Sequence, residues 1–277
     1  MEVPVVIPYW GGKNKLSKQF VPLIPPHRHY MEVFAGGLSM FFRKSKSEWS
    51  AINDVNDDLI NLYLVVENKL LFDQFIEKVK WTIKSRAYYS GIRDKIRNKE
   101  FDAHFPDVNR AFDYFYFIRN SFNSRLDTAF SKDTTGWTTR LRDSLWESRK
   151  KLNGVIIEHL DYKTFVEKYY KKEESFWYFD PPYVVADTEK YYHTNFNKNE
   201  HIIMKGIVDF LNDIAKAKIM ISYDDHKLVR QLYGNDDRYM IKEFESTYAG
   251  NRQDPGKKFT ELLIMNYKPT EQMGLEL

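Results

Sequence analysis

Cysteine is absent from all 277 residues of the chain. That excludes a disulfide framework, thiolate zinc sites and a cysteine nucleophile. The seven histidines include no H-E-x-x-H spacing, and His27 and His29, two apart, read as loop residues, so no metal is expected. No apolar run approaches the ~18 residues of a membrane span. The opening Met-Glu-Val-Pro-Val-Val-Ile-Pro has neither the positive flank nor the cleavage site of a signal peptide. A soluble intracellular protein with no membrane partner is therefore expected. Repeats and low-complexity tracts are missing as well, and the length suits one large domain or two small ones at roughly 100–200 residues each.

Charge of either sign is nearly balanced. With 42 Lys plus Arg against 39 Asp plus Glu, the net charge is +3 and the pI about 8.7. That permits a polyanionic partner without demanding one. Aromatic residues are plentiful at 16%, with 19 Tyr, more than a core needs. Tyr serves wet binding surfaces, and aromatic rings serve base stacking.

Short apolar runs alternate with helical patterns at both ends of the chain. Strands are expected at 29–34, 49–53, 155–159, 176–179, 218–222, 239–244 and 261–267, with helices from Ser39 and over 57–67, 162–170 and 199–216. This alternation argues for an α/β fold with a mostly parallel sheet covered on both faces. The last two strands, separated by a polar loop and no helix, suggest an antiparallel C-terminal hairpin at one edge. From 69 to 151 the pattern is helical without strand alternation, so an inserted helical module is expected between catalytic segments 1–68 and 152–277. Within it, residues 78–99 carry eight basic side chains and one acid, Asp94.

The sharpest motif is Asp180-Pro181-Pro182-Tyr183, directly after the apolar run 176–179. Pro-Pro often marks an ordinary turn, yet this tetrapeptide arises by chance in on the order of one such chain in a thousand. Two prolines stiffen the backbone, so the Asp180 carboxylate and a carbonyl can be fixed toward one ligand atom. Tyr183 offers a flat face for stacking a base. In open α/β sheets, ligands sit outside the carboxyl ends of strands, which is where this motif lies.

With these residues the chain resembles the DNA adenine methylase (Dam-like, D12-class) family, whose catalytic motif is Asp-Pro-Pro-Tyr. Tyr9-Trp10-Gly11-Gly12-Lys13 is similar to its N-terminal aromatic-x-Gly-Gly-Lys motif, and Glu32-Val33-Phe34-Ala35-Gly36-Gly37 to its Glu-x-Phe-x-Gly cofactor loop. Asn53-Asp54-Val55-Asn56-Asp57-Asp58-Leu59 resembles the acidic strand-end and following helix. Arg119-Asn120-Ser121-Phe122-Asn123-Ser124-Arg125 resembles the start of the target-recognition hairpin, and the run Lys257-Lys258 to Glu261-Leu262-Leu263 the final hairpin. The resemblance spans residues 8–268. Two departures stand out: Leu38 replaces the usual small residue after the second loop glycine, and Ala129-Phe130-Ser131-Lys132 replaces the family's Phe-Asn-x-Pro segment.

The resemblance implies a Rossmann-like methyltransferase sheet with an inserted target-recognition module. It implies methyl transfer from S-adenosylmethionine to N6 of a flipped adenine in double-stranded DNA, without a metal. Asp180, Pro181, Pro182 and Tyr183 are the implied catalytic residues. Tyr9, Trp10, Lys13, Glu32, Phe34, Gly36, Asp54, Asp161, Tyr162 and Asp180 are the implied cofactor residues. A cognate restriction endonuclease is a possible partner, the bacterial or phage-infected cytoplasm and its nucleoid the expected location, and GATC the commonest family target. Cytosine-N4 or RNA adenine methylation, or a silent DNA-binding relative, are the alternatives.

Physical readings stand beside these. Gly36 and Gly37 let the backbone approach a ligand, or merely make a tight turn. Asp54 can accept ribose hydroxyls at a strand end, or cap a helix, a task that suits Asn56 or Asp57 better. Asp161 equally suits a cofactor contact or a cap for the helix near Tyr162, and Lys13 an anchor for the cofactor carboxylate or a solvated cation. Lys84 and Arg93 in the basic stretch are expected to touch phosphates. Arg119, Asn120, Asn123 and Arg125 are expected at base edges, where Arg and Asn pair bidentately, with Asn120 or Asn123 alternatively bracing the loop.

Overall fold

Five consecutive buried residues, Ser-Phe-Trp-Tyr-Phe, form a strand covered on both faces, as an interior parallel strand requires. This is strand β4 of a computed structural model that describes residues 4–9, 12–98, 106–122, 129–131, 137, 139–184, 196–247 and 258–269. Among the described residues the strands are β1 (His29–Glu32), β2 (Trp49–Asn53), β3 (Ile156–Glu158), β4 (Ser175–Phe179), β5 (Lys218–Asp224), β6 (Met240–Thr247) and β7 (Lys258–Met265). The α-helices are α1 (Ser17–Phe20), α2 (Ser39–Arg43), α3 (Asp57–Glu67), α4 (Lys69–Trp81), α5 (Arg86–Asn98), α6 (Val108–Asn120), α7 (Thr139–Leu152), α8 (Tyr162–Tyr169), α9 (Lys198–Asp213) and α10 (Lys227–Tyr233). None of them is long and apolar enough to cross a membrane.

Seven strands form one sheet in the order β3-β2-β1-β4-β5-β7-β6. β1 runs parallel to β2 and β4, and β4 parallel to β5, while β7 lies antiparallel between β5 and β6. The α/β expectation, mostly parallel with an antiparallel C-terminal hairpin, describes this sheet. Strand order reverses between β1 and β4, and such a switch point opens a crevice at the strands' carboxyl ends.

The chain divides into two compact units. One comprises Asn14–Ala35, Ser45–Asn53 and Leu160–Leu277. Its core joins Met31, Trp177, Phe179, Ile219 and Ile221 to Phe165 on α8 and Met204, Val208 and Leu211 on α9. Helix α10, which the sequence pattern did not announce, adds Val229 and Tyr233 to that core, and its first turn is closed by the His226 ring accepting the Leu228 amide at 3.1 Å.

The other unit comprises Met1–Lys13, Gly36–Lys44 and Asp54–His159. Helix α6 is its axis: Ala111, Phe112, Tyr114, Phe115, Tyr116, Phe117 and Ile118 are all buried, the pattern of a helix surrounded by others. Within this unit α3 is tied to α6. Asn61 accepts the Asp107 amide at 2.7 Å and donates to the Asp107 carbonyl at 2.9 Å. Arg110, nearly buried, donates to Asp58 at 2.7 Å.

Candidate active site

Within the sheet unit, chemistry gathers at the carboxyl ends of β1 and β4. The Val33 amide extends the ladder by donating to the Tyr178 carbonyl at 3.0 Å. Buried Asn53 then ties three segments together. Its Nδ2 donates to the Val33 and Leu160 carbonyls at 3.1 and 3.0 Å, and its Oδ1 accepts the Leu160 amide at 2.9 Å. Its own carbonyl accepts the Ala35 amide at 2.8 Å. Sequence reasoning passed over Asn53 because each of these partners is distant or backbone.

Asp180 leaves β4 half-buried, with Pro181 and Pro182 buried behind it. Ser222 Oγ on β5 donates to Asp180 Oδ1 at 3.1 Å and is itself within 2.8 Å of the Tyr178 hydroxyl. Tyr183 donates its hydroxyl to both carboxylate oxygens of buried Glu261 on β7, at 2.9 and 2.8 Å. Ser222 and Glu261 carried no sequence signal of their own beyond the latter's place in the final-hairpin segment.

Phe34 packs against Tyr162, Phe179 and Phe196, with ring centroids 5.6, 6.4 and 5.8 Å away. Tyr162 donates to Glu200 at 2.8 Å, and burial raises its pKa. Asp161 caps α8 by accepting the Lys163 amide at 2.9 Å, one of its two expected roles. Glu32 is buried and accepts the Tyr30 hydroxyl at 2.6 Å.

The second group lies in the helical unit. Asp54 accepts the Gly36 amide on Oδ2 at 2.9 Å and the Asn56 amide on Oδ1 at 3.0 Å. Burial raises its pKa, against the opposing pull of those backbone donors. The cap of α3 is Asn56, which accepts the Leu59 amide at 3.1 Å, so Asp54 is spared that task. Gly36 adopts φ +45° and its carbonyl accepts from the Tyr63 hydroxyl. A Cβ on Gly37 would stand 2.9 Å from the Tyr9 Cβ. Leu38, which replaces the family's small residue, takes a left-handed conformation with φ 54° and is fully buried. Strain at such a position costs about 1–3 kcal/mol and needs surrounding structure to hold it. Lys13 is buried as well, unlike a solvated cation.

The residues expected to meet DNA separate into two kinds. Lys84 sits with its amino group 5.2 Å from the Phe130 ring centroid, and exposed Arg86 lies over the same ring at 5.3 Å. Arg93 is paired with its neighbour Asp94 at 3.0 Å. Arg119, by contrast, turns inward: it donates to the Val6 carbonyl at 2.8 Å, stacks on Phe115, and burial lowers its pKa to about 10. Asn120 is buried and donates to the Tyr116 carbonyl at 2.8 Å. Arg119 thus ties α6 to the N-terminal segment, and Asn120 bonds back to its own helix. Trp10, Asn123 and Arg125 lie outside the described residues.

A sheet that switches between β1 and β4, with Asp-Pro-Pro-Tyr at the carboxyl end of β4, has the architecture of a Rossmann-like methyltransferase. The chain belongs to the D12 class of N6 adenine-specific DNA methyltransferases, whose family model matches residues 9–249. It is 25% identical to the type II methyltransferase M.MjaIII of Methanocaldococcus jannaschii, over 96% of this chain and 100% of that one. It is 24% identical to a DNA adenine methylase of Serratia marcescens over 84% of this chain and 87% of the relative. A DNA adenine methylase of Haemophilus influenzae is 25% identical over 80% of each chain. The activity is therefore that of an adenine-specific DNA methyltransferase.

That family implies S-adenosylmethionine as methyl donor, and residues of the helical unit fit such a group. Tyr9 packs against the Gly36-Gly37 turn where side chains would otherwise stand, so this backbone is bare of Cβ atoms. The buried Tyr114 hydroxyl on α6 has no hydrogen-bond partner, and Asp54, Tyr9, Tyr63 and Asp58 act on it electrostatically. A buried orphan donor costs about 1–3 kcal/mol unless something answers it. Among the described residues no cluster of side chains could hold a metal ion.

Proposed function

We propose that the protein transfers a methyl group from S-adenosylmethionine to N6 of an adenine turned out of double-stranded DNA. The observation that carries this reading is the Asp180-Tyr183 turn, whose acid is held by Ser222 on β5 and whose ring is held by Glu261 on β7. Adenine's amino nitrogen is a poor nucleophile because its lone pair is delocalised into the ring. Asp180 and the Pro181 carbonyl accept its two hydrogens and draw the nitrogen toward a tetrahedral, more nucleophilic form. S-adenosylmethionine, when bound, would supply the sulfonium methyl, its S–CH3 bond breaking to leave S-adenosylhomocysteine while the methylated nitrogen gives up one proton. Asp180 thus acts by electrostatics and orientation. Tyr183 stacks on the extruded base and offsets part of the few-kcal/mol cost of unstacking it.

Tyr9, Trp10, Lys13, Gly36 and Asp54, with Glu32, Phe34, Asp161 and Tyr162, are the residues we assign to the cofactor. Asp54 has lone pairs beyond those taken by Gly36 and Asn56 with which to meet ribose hydroxyls. Lys84 and Arg93 neutralise phosphates, and Asn123 and Arg125 read base edges. The substrate places the enzyme on cytoplasmic DNA at the nucleoid, and the type II name of the M.MjaIII relative supports a partner restriction endonuclease. The test is incubation with labelled S-adenosylmethionine and unmethylated mixed-sequence DNA, followed by methylome sequencing of DNA from expressing cells. Label in N6-methyladenine at one sequence is the expected result; label in cytosine, in RNA alone, or nowhere would refute it.

A further inference from the structure

We infer that Glu261 is a positioning residue for the reaction: its buried carboxylate sets the direction of the Tyr183 ring and so the platform on which the target adenine stacks. The inference rests on the reading that Tyr183 stacks on the base.

Glu261 has no exposed surface, and it sits on β7 opposite Asp224 of β5 and Phe244 of β6. Taking a carboxylate out of water costs several kcal/mol unless hydrogen bonds compensate. An apolar residue would serve the core at this position better, as the next four residues, Leu262, Leu263, Ile264 and Met265, all fully buried, illustrate. Both oxygens of Glu261 receive the Tyr183 hydroxyl, at 2.9 and 2.8 Å, across 78 residues of sequence. Hydrogen bonds to a charged acceptor are about twice as strong as neutral ones. A phenol O–H lies in the plane of its ring, so anchoring it to a carboxylate on a paired strand restricts where the ring points. Asp180, three residues earlier, is held by β5 through Ser222. The acid and the ring of one turn are thus anchored separately, by adjacent antiparallel strands whose mutual register is fixed by five residue pairs from Met220–Met265 to Asp224–Glu261.

A bond that merely stabilised the fold would leave the catalytic parameters of folded variants alone. The experiment therefore measures kcat and KM for unmethylated mixed-sequence DNA with labelled S-adenosylmethionine, in Tyr183→Phe, Glu261→Leu, Glu261→Gln and the Tyr183→Phe/Glu261→Leu pair. Tyr183→Phe and Glu261→Leu should each lower kcat/KM for DNA by roughly tenfold, with S-adenosylmethionine affinity unchanged. The pair should be no worse than the poorer single variant, and Glu261→Gln, which keeps an acceptor oxygen, should stay within about threefold of wild type. Multiplying losses in the pair, or wild-type kcat/KM in folded Glu261→Leu, would overturn the inference. If Glu261→Leu does not fold, Glu261→Gln decides with Tyr183→Phe: a Gln enzyme as impaired as Tyr183→Phe overturns the inference, and a retained activity beside an impaired Phe enzyme supports it. A wild-type enzyme that labels no adenine would instead sink the methyltransfer reading, which separates the two failures.

Discussion

The Gly36 amide donates to Asp54 Oδ2 at 2.9 Å, so the acid at the end of β2 holds the glycine turn that follows β1. Its other oxygen takes the Asn56 amide. One carboxylate therefore shapes the loop, and its remaining lone pairs are those proposed to meet a ligand hydroxyl.

Replacing Asp54 by Ala removes both. Loss of a charge-assisted acceptor is worth roughly 1.5–3 kcal/mol, or about 10–100-fold in affinity for S-adenosylmethionine. Calorimetry on a variant with wild-type circular dichroism checks this. Unchanged affinity would confine Asp54 to holding Gly36 and Asn56 in place.

Asp180→Ala should abolish methyl transfer in a protein that still folds and binds DNA. Ser222→Ala should be milder, lowering kcat roughly tenfold without weakening cofactor binding, because it removes one contact that orients the Asp180 carboxylate but leaves its charge. Turnover assays with both variants are decisive. Full activity in Asp180→Ala would end the mechanism, and full activity in Ser222→Ala would reduce that bond to packing.

What was legible in the sequence was local. The strand at 49–53 and the helix at 57–67 match β2 and α3 because their signals sit side by side: an apolar run, Asp54 to stop it, Asn56 to cap the next helix. The Asp-Pro-Pro-Tyr turn was legible for the same reason. Helix α10 was not, since seven residues give barely two turns of periodicity and its cap is a histidine. Nor was the membership of α3 in the helical unit, which depends on Asn61 and Asp58 meeting residues 46 and 52 positions away. Ser222 and Glu261 lie 42 and 78 residues from the side chains they hold. Arg119 and Asn120 read as recognition residues because polar groups in a family motif suggest a surface, whereas the crowded aromatic face of α6 turns them inward.

Phosphate contacts should appear in the salt dependence of DNA binding. Lys84 and Arg86 both lie over the Phe130 ring, a contact that does not neutralise a cation, and Arg93 is paired with Asp94. Lys84→Ala and Arg86→Ala should each reduce the slope of log affinity against log salt by about 0.9, equally on methylatable and unrelated duplexes. Arg93→Ala should reduce it by less. Slopes unchanged in all three would assign these cations to a solvated face.

Stability should carry a histidine signature. His201 on α9 is 1% exposed, its Nδ1 lies 2.8 Å from the Tyr223 hydroxyl, and Phe196 meets its ring edge-on at 4.8 Å. Its pKa is lowered from 6.5 to about 4, chiefly by burial, with nearby His226 adding to the shift and Glu200 opposing it. The unfolded chain therefore takes up a proton near pH 6.5 that the native state refuses until about pH 4. A depressed pKa in the folded state means stability present above the unfolded value and lost as pH falls toward the folded one. Across that window the loss attributable to this group is about 3 kcal/mol. His201→Gln has nothing to titrate there, so its unfolding free energy should fall by that much less than the wild type's between pH 7 and pH 4. Denaturant unfolding of both proteins at several pH values measures the difference directly. Parallel pH profiles would mean that His201 is protonated in the native state or open to water, and would overturn this assignment.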